Sequence, residues 1–121
     1  MTANSAPSSD YEVNLNPDDI FRGLLSKMSV HCADSLDWLR QRSLRDKCFD
    51  LIFLDPPFNQ GKEYRHYDDD ADPAQYWAWM TNICKLAYNH ASDGASIYFM
   101  QREKNASETI AALENAGWTF R

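Results

Sequence analysis

Lys47-Cys48-Phe49-Asp50-Leu51-Ile52-Phe53-Leu54-Asp55-Pro56-Pro57-Phe58-Asn59-Gln60-Gly61-Lys62-Glu63-Tyr64 runs an apolar stretch into a proline pair and then a polar loop. Phe49, Leu51, Ile52, Phe53 and Leu54 are nearly continuous in apolar character, the pattern of a strand buried on both faces, as in a parallel sheet covered by helices. Two prolines follow Asp55 directly. Proline donates no ladder hydrogen bond and drives the preceding residue into an extended conformation, so the strand ends there with Asp55 at its carboxyl edge. Ligands of open α/β sheets bind at that edge, which makes a carboxylate there, with an aromatic ring three residues on, a candidate site. An Asp-Pro pair can also do no more than cap a turn and stop a strand, but that account leaves Phe58 unexplained.

Upstream, Met1 to Asp10 is rich in Ser, Ala and Asn and has nothing to bury, so it is expected to be disordered, leaving 11–121 as the folded domain. Asn16, Pro17 and Asp19 form a helix start, and Ile20, Phe21, Leu24, Leu25 and Met28 give that helix an apolar stripe expected to pack over the sheet. Ser29 to Cys32 is a candidate strand, and Asp34-Ser35 opens a helix with Leu36, Trp38 and Leu39 facing inward before the basic run Arg40, Arg42, Arg45 and Lys47. Downstream, the loop through Asp70 is polar with interleaved aromatics and is expected to be mobile without a ligand. Asp72-Pro73-Ala74-Gln75 starts a helix on which Tyr76, Trp77, Met80, Ile83, Cys84 and Ala87 recur at helical spacing, a stripe read as core. Ser92-Asp93-Gly94 is a turn, Ala95 to Met100 a second buried strand, and Asn105 with Glu108 opens a helix that Gly117 ends. Trp118-Thr119-Phe120 begins a further alternating strand. Strand and helix alternate throughout, which predicts an α/β fold: a Rossmann-like parallel sheet with helices on both faces.

With 44% apolar and 13% aromatic residues in 121, the composition supports a real core in a single domain. No stretch approaches the roughly 18 consecutive apolar residues of a membrane span, and the first ten residues lack a secretory pattern, so a cytoplasmic protein with no membrane association is expected. Cys32, Cys48 and Cys84 are odd in number and widely spaced, which argues against a disulfide framework or a zinc site and for buried, reduced thiols. The net charge of −6 is unfavourable for binding a phosphate backbone, although Asp68, Asp69, Asp70 and Asp72 concentrate part of it.

Asp55-Pro56-Pro57-Phe58 after an apolar strand, extended by Asn59-Gln60-Gly61-Lys62-Glu63-Tyr64, resembles the catalytic tetrad and following loop of the S-adenosyl-L-methionine-dependent DNA amino-methyltransferases, enzymes that include those of restriction-modification systems. The resemblance implies methyl transfer to the exocyclic amino group of adenine or cytosine in DNA, with Asp55, Pro56, Pro57 and Phe58 as catalytic residues. A tetrad that starts with Asp favours adenine. The cofactor implied is S-adenosyl-L-methionine, held in part by Asp55 and Pro56 and by Asp34, which matches the family's cofactor-binding acid except that Ala33 stands where a glycine usually precedes it. Asp34 reads equally as a helix N-cap. No metal is implied. Lys62 and Tyr64 are candidate phosphate or base contacts, or solvated loop residues.

The glycines are Gly23, Gly61, Gly94 and Gly117, so no Gly-x-Gly loop is present to receive the methionine part of the cofactor. The chain thus resembles the N-terminal half of such an enzyme, a partial methyltransferase fold, and DNA, a missing C-terminal half or a second copy of the chain are the expected partners. The family's target-recognition region would lie outside these residues. Two other functions stay open: a non-catalytic remnant that binds nucleic acid or a partner chain, and a methyltransferase acting on RNA or a protein amide.

Overall fold

The computed structural model describes residues 16–25, 28–42, 48–65 and 67–121, apart from the Ile20 side chain. The expected disorder of residues 1–10, and Arg45 and Lys47 of the basic run, lie outside the described residues. The chain divides into two units, Met1–Cys32 and Ala33–Arg121.

In the first unit, α1 spans Pro17–Leu25. Asn16 caps it, its Oδ1 accepting the Asp18 N–H at 3.1 Å, and Asp18 and Asp19 place negative charge at the positive end of the helix dipole. Phe21, Leu24 and Leu25 are exposed. The strand expected at Ser29 to Cys32 does not form, and Val30 is 93% exposed.

In the second unit, α2 (Ser35–Gln41), β1 (Phe49–Leu54), α3 (Pro73–His90), β2 (Ala91–Phe99), a single 3-10 turn at Glu103–Asn105 and α4 (Ala106–Asn115) follow in order. β1 and β2 pair in parallel as a two-stranded sheet, with α3 as the crossover that a parallel pair requires. The pairing runs in step from Leu51↔Ser96 to Leu54↔Phe99. Before that, β1 advances from Phe49 to Leu51 while β2 advances from Ala91 to Ser96, so the turn expected at Ser92–Gly94 survives as a bulge inside the strand, with Gly94 at φ +80°.

Burial separates the two faces of this sheet. Ile52, Leu54, Ile97 and Phe99 are half-buried, and Leu54 and Phe99 join Leu36, Ala71, Trp77 and Trp79 around the buried Tyr76, Met80 and Ile83 of α3. On the other face Leu51, Phe53 and Tyr98 are 64%, 63% and 61% exposed. The expectation of a strand buried on both faces, with helices on both, is therefore corrected: among the described residues the helices cover one face. The fold is α/β with a parallel pair, compatible with a methyltransferase-like architecture.

The helix caps explain the boundaries. Asp72 Oδ1 accepts the N–H groups of Ala74 at 3.0 Å and Gln75 at 3.2 Å, with Pro73 at the first helical position. α4 begins at Asn105 as expected, but without a side-chain cap bond. It ends where Gly117 adopts φ +106° and the Trp118 N–H reaches the Leu113 carbonyl at 3.0 Å. Trp118 does not open a fourth strand. Its indole Nε1 donates to the Cys84 carbonyl at 3.0 Å and its ring meets Tyr88 edge-on, which fastens the segment to α3 instead of to the sheet. Cys84 is buried, and burial pushes its thiol up to about 12; Cys32 and Cys48, expected to be buried, are exposed. Among the described residues no helix is long and apolar enough to cross a membrane.

Candidate active site

β1 ends as its sequence requires. The Leu54 carbonyl accepts the Met100 N–H at 2.8 Å, the last bond between the two strand ends, and the chain then leaves the sheet through Asp55, Pro56 and Pro57. Asp55 is exposed at the carboxyl edge, while Pro56, Pro57 and Phe58 are half-buried. A carboxylate in that position adds nothing to the core and is available to a ligand.

The backbone behind it is held from α3 and from the segment that follows β2. The Tyr76 hydroxyl donates to the Pro57 carbonyl at 2.6 Å, and Gln101 Nε2 donates to the Tyr76 oxygen at 2.8 Å. Gln101 Oε1 in turn accepts the Arg102 N–H at 2.9 Å, and Arg102 Nη1 reaches Gln60 Oε1 at 3.2 Å. Burial raises the Tyr76 hydroxyl to about 12, against a smaller opposing effect of the Gln101 bond, so it stays a neutral donor at any physiological pH.

The loop after Phe58 is hydrogen-bonded through its first residues. Asn59 at φ +53° and Gly61 at φ +72° turn the backbone so that three N–H groups converge on the Asp69 carboxylate. Asn59 donates to Oδ1 at 2.8 Å, and Gln60 and Lys62 both donate to Oδ2 at 3.1 Å. The Asp69 carbonyl accepts the Gly61 N–H at 2.7 Å. Asn59 also pairs side chain to backbone with Ala71, giving through Nδ2 and accepting at Oδ1, both at 2.8 Å. Asp69 is 1% exposed. Burial alone would raise its pKa, but the N–H groups of Gln60, Lys62 and Asn59, with the Lys62 charge, outweigh it and hold the carboxyl below its ordinary value. Tyr67 lies between Tyr64, which it meets edge-on at 6.2 Å between ring centres, and Trp79, tilted against it at 5.5 Å, and burial followed by the charges of Asp69 and Asp68 pushes its hydroxyl up.

Residues 49–121, more than half of the chain, match the sequence profile of a family described as DNA methylase. The chain belongs to the N6/N4 DNA methylase family. No curated protein and no solved structure matches it.

In this DNA methylase Asp55, Pro56, Pro57 and Phe58 are contiguous at one sheet edge. Asp34 caps α2, its Oδ1 accepting from Leu36 at 2.9 Å and Asp37 at 3.1 Å, and no hydrogen bond joins it to the tetrad. The cap uses one carboxylate oxygen of the two. Lys62 lies over the Tyr64 ring at 5.7 Å, and both residues are exposed. Among the described residues no group of His, Cys, Asp or Glu is placed to hold a metal ion. Sequence reasoning misses the residues that hold this backbone: Asp69 reads only as part of a concentration of negative charge, and Tyr76 only as core. The position of Asn59 next to the tetrad was the one available signal.

Proposed function

We propose that this DNA methylase transfers a methyl group from S-adenosyl-L-methionine to the exocyclic amino nitrogen of adenine, with cytosine as the alternative target. The observation that carries the reading is the exposed Asp55 carboxylate beside Pro56 at the sheet edge, on a backbone held by the Tyr76–Pro57 bond. An exocyclic amino nitrogen is a poor nucleophile because its lone pair is delocalised into the ring. The Asp55 carboxylate accepts one amino hydrogen and the Pro56 carbonyl the other, which draws the nitrogen toward tetrahedral geometry and localises the lone pair. The bound cofactor would supply the methyl group, its carbon–sulfur bond breaking as the nitrogen–carbon bond forms and a neutral thioether leaving; the proton that the nitrogen then sheds would be accepted by Asp55 and passed to water. Phe58 offers a face on which a base flipped out of the duplex stacks, worth about 1–3 kcal/mol.

The donor set fits the cofactor in part. The exposed carboxylates of Asp34 and Asp55 and the Pro56 carbonyl suit its hydroxyl and amino groups, and in this reading the loop for its methionine part comes from another segment, because the chain has no Gly-x-Gly. When bound, the cofactor supplies an electrophilic methyl group. Methyl transfer to duplex DNA by the full-length protein, lost in Asp55→Ala, is the test; near-normal transfer by that variant would remove Asp55 from the chemistry. The net charge of −6 favours a second reading, a non-catalytic protein that binds a partner chain. Absence of transfer to DNA, RNA or protein by the wild type would select it.

A further inference from the structure

Phe58 is the one tetrad residue whose neighbours on both sides are anchored. Before it, the Pro57 carbonyl is bound by the Tyr76 hydroxyl at 2.6 Å; after it, the Asn59 N–H is bound by Asp69 Oδ1 at 2.8 Å. The second anchor is built with more parts than a loop needs for closure. The same carboxylate takes the N–H groups of Gln60 and Lys62, its own carbonyl takes that of Gly61, and the Asn59 side chain makes a two-point pair with Ala71. Asn59, directly after Phe58, is left-handed, a conformation that Asn adopts more readily than most residues other than glycine. Here the converging bonds to Asp69 hold it.

We propose that Asp69 is a positioning residue for Phe58: its buried carboxylate fixes the peptide that follows Phe58 and so sets the angle and place at which the ring is presented to a flipped base. This deepens the proposed function and rests on Phe58 being the stacking surface. Asp69 itself touches neither base nor cofactor. Its two oxygens accept three N–H groups, a task that Asn cannot perform, because its amide NH2 would face donors where the second oxygen stood.

The test replaces Phe58 by 4-fluorophenylalanine in the full-length protein and reads the fluorine resonance without DNA. The wild type is expected to give one narrow signal, and Asp69→Asn a broadened or divided one, together with faster amide exchange at Asn59, Gln60 and Lys62. With duplex DNA, Asp69→Asn is expected to lower kcat about 10- to 100-fold, the size of a misplacement of about 1 Å, with KM for the cofactor unchanged. An unaltered narrow fluorine signal beside fast exchange at the three amides would overturn the proposal and leave Asp69 as a brace for its own loop only. If the wild type transfers no methyl group, the proposed function fails, whereas the fluorine signal still decides whether Asp69 positions Phe58. Should Asp69→Asn not fold, Asn59→Gly removes the side-chain pair with Ala71 while tolerating the left-handed backbone, and the same broadening is expected from it; an unchanged signal there would count against the proposal equally.

Discussion

The Tyr76 hydroxyl reaches the carbonyl oxygen of Pro57 across 19 residues of sequence, at 2.6 Å, and thereby ties the first turn of α3 to the tetrad. Tyr76→Phe keeps the ring and its packing against Trp77 and Trp79 but leaves the Pro57 carbonyl and the Gln101 amide without this partner. The expected cost is about 1 kcal/mol in chemical denaturation, since a net hydrogen bond contributes about 0.5–1.5 kcal/mol. A larger effect, about tenfold or more, is expected on kcat for methyl transfer, because the carbonyl of the adjacent Pro56 has to point at an amino hydrogen.

Alkali probes the same bond. The Tyr76 hydroxyl is raised from 10.0 to about 12, so the folded state favours the protonated form. Its contribution to stability is complete below pH 10 and is lost as pH rises toward 12. In denaturation midpoints measured across that window, the wild type is expected to fall more steeply than Tyr76→Phe.

Acid acts on the other anchor with the opposite sign. Asp69 lies below its ordinary 3.8 in the folded state, so its contribution is present above that pH and is lost as pH falls through the lower folded value. Amide exchange at Gln60 and Lys62 is expected to accelerate over that range in the wild type. In Asp69→Asn it is expected to be fast already at neutral pH.

Asp55 and Phe58 separate chemistry from folding. Asp55→Ala at an exposed position is expected to change stability by no more than about 0.5 kcal/mol while abolishing methylation. Phe58→Ala is expected to weaken the fluorescence change of 2-aminopurine placed at the target position, and Phe58→Trp to preserve it.

Leu51, Phe53 and Tyr98 give the 121-residue chain an apolar sheet face open to solvent. Such a face favours association. Light scattering after size exclusion is expected to show self-association of the chain by itself, and Phe53→Ser is expected to shift it toward monomer with little loss of thermal stability.

What could be read in advance was local. Asn16, Asp72 and Gly117 mark helix ends through bonds to residues two to five positions away, and all three boundaries stand where the residue types put them. Asp55 at a carboxyl edge followed from the prolines. The outer face of β1 was misread because Leu51 and Phe53 declare only that they are apolar; what covers them is decided by other segments. Asp69 was illegible for a related reason. Its neighbours Asp68 and Asp70 have the same side chain and are exposed, and only a backbone turned by Asn59 and Gly61, with bonds spanning 7 to 10 residues, distinguishes it. Trp118 read as a strand from its alternation, while its indole N–H found a carbonyl on α3.

The extra residues that β2 carries between Ala91 and Ser96 lie at the end of the sheet remote from Asp55, and the pairing beyond Ser96 keeps step regardless of them. Length is thus already absorbed at that point without moving Ile97, Tyr98 or Phe99. Asp93 and Gly94, both exposed, are accordingly where a fluorophore, an affinity tag or a tether to a surface can be spliced into the polypeptide with the tetrad left undisturbed.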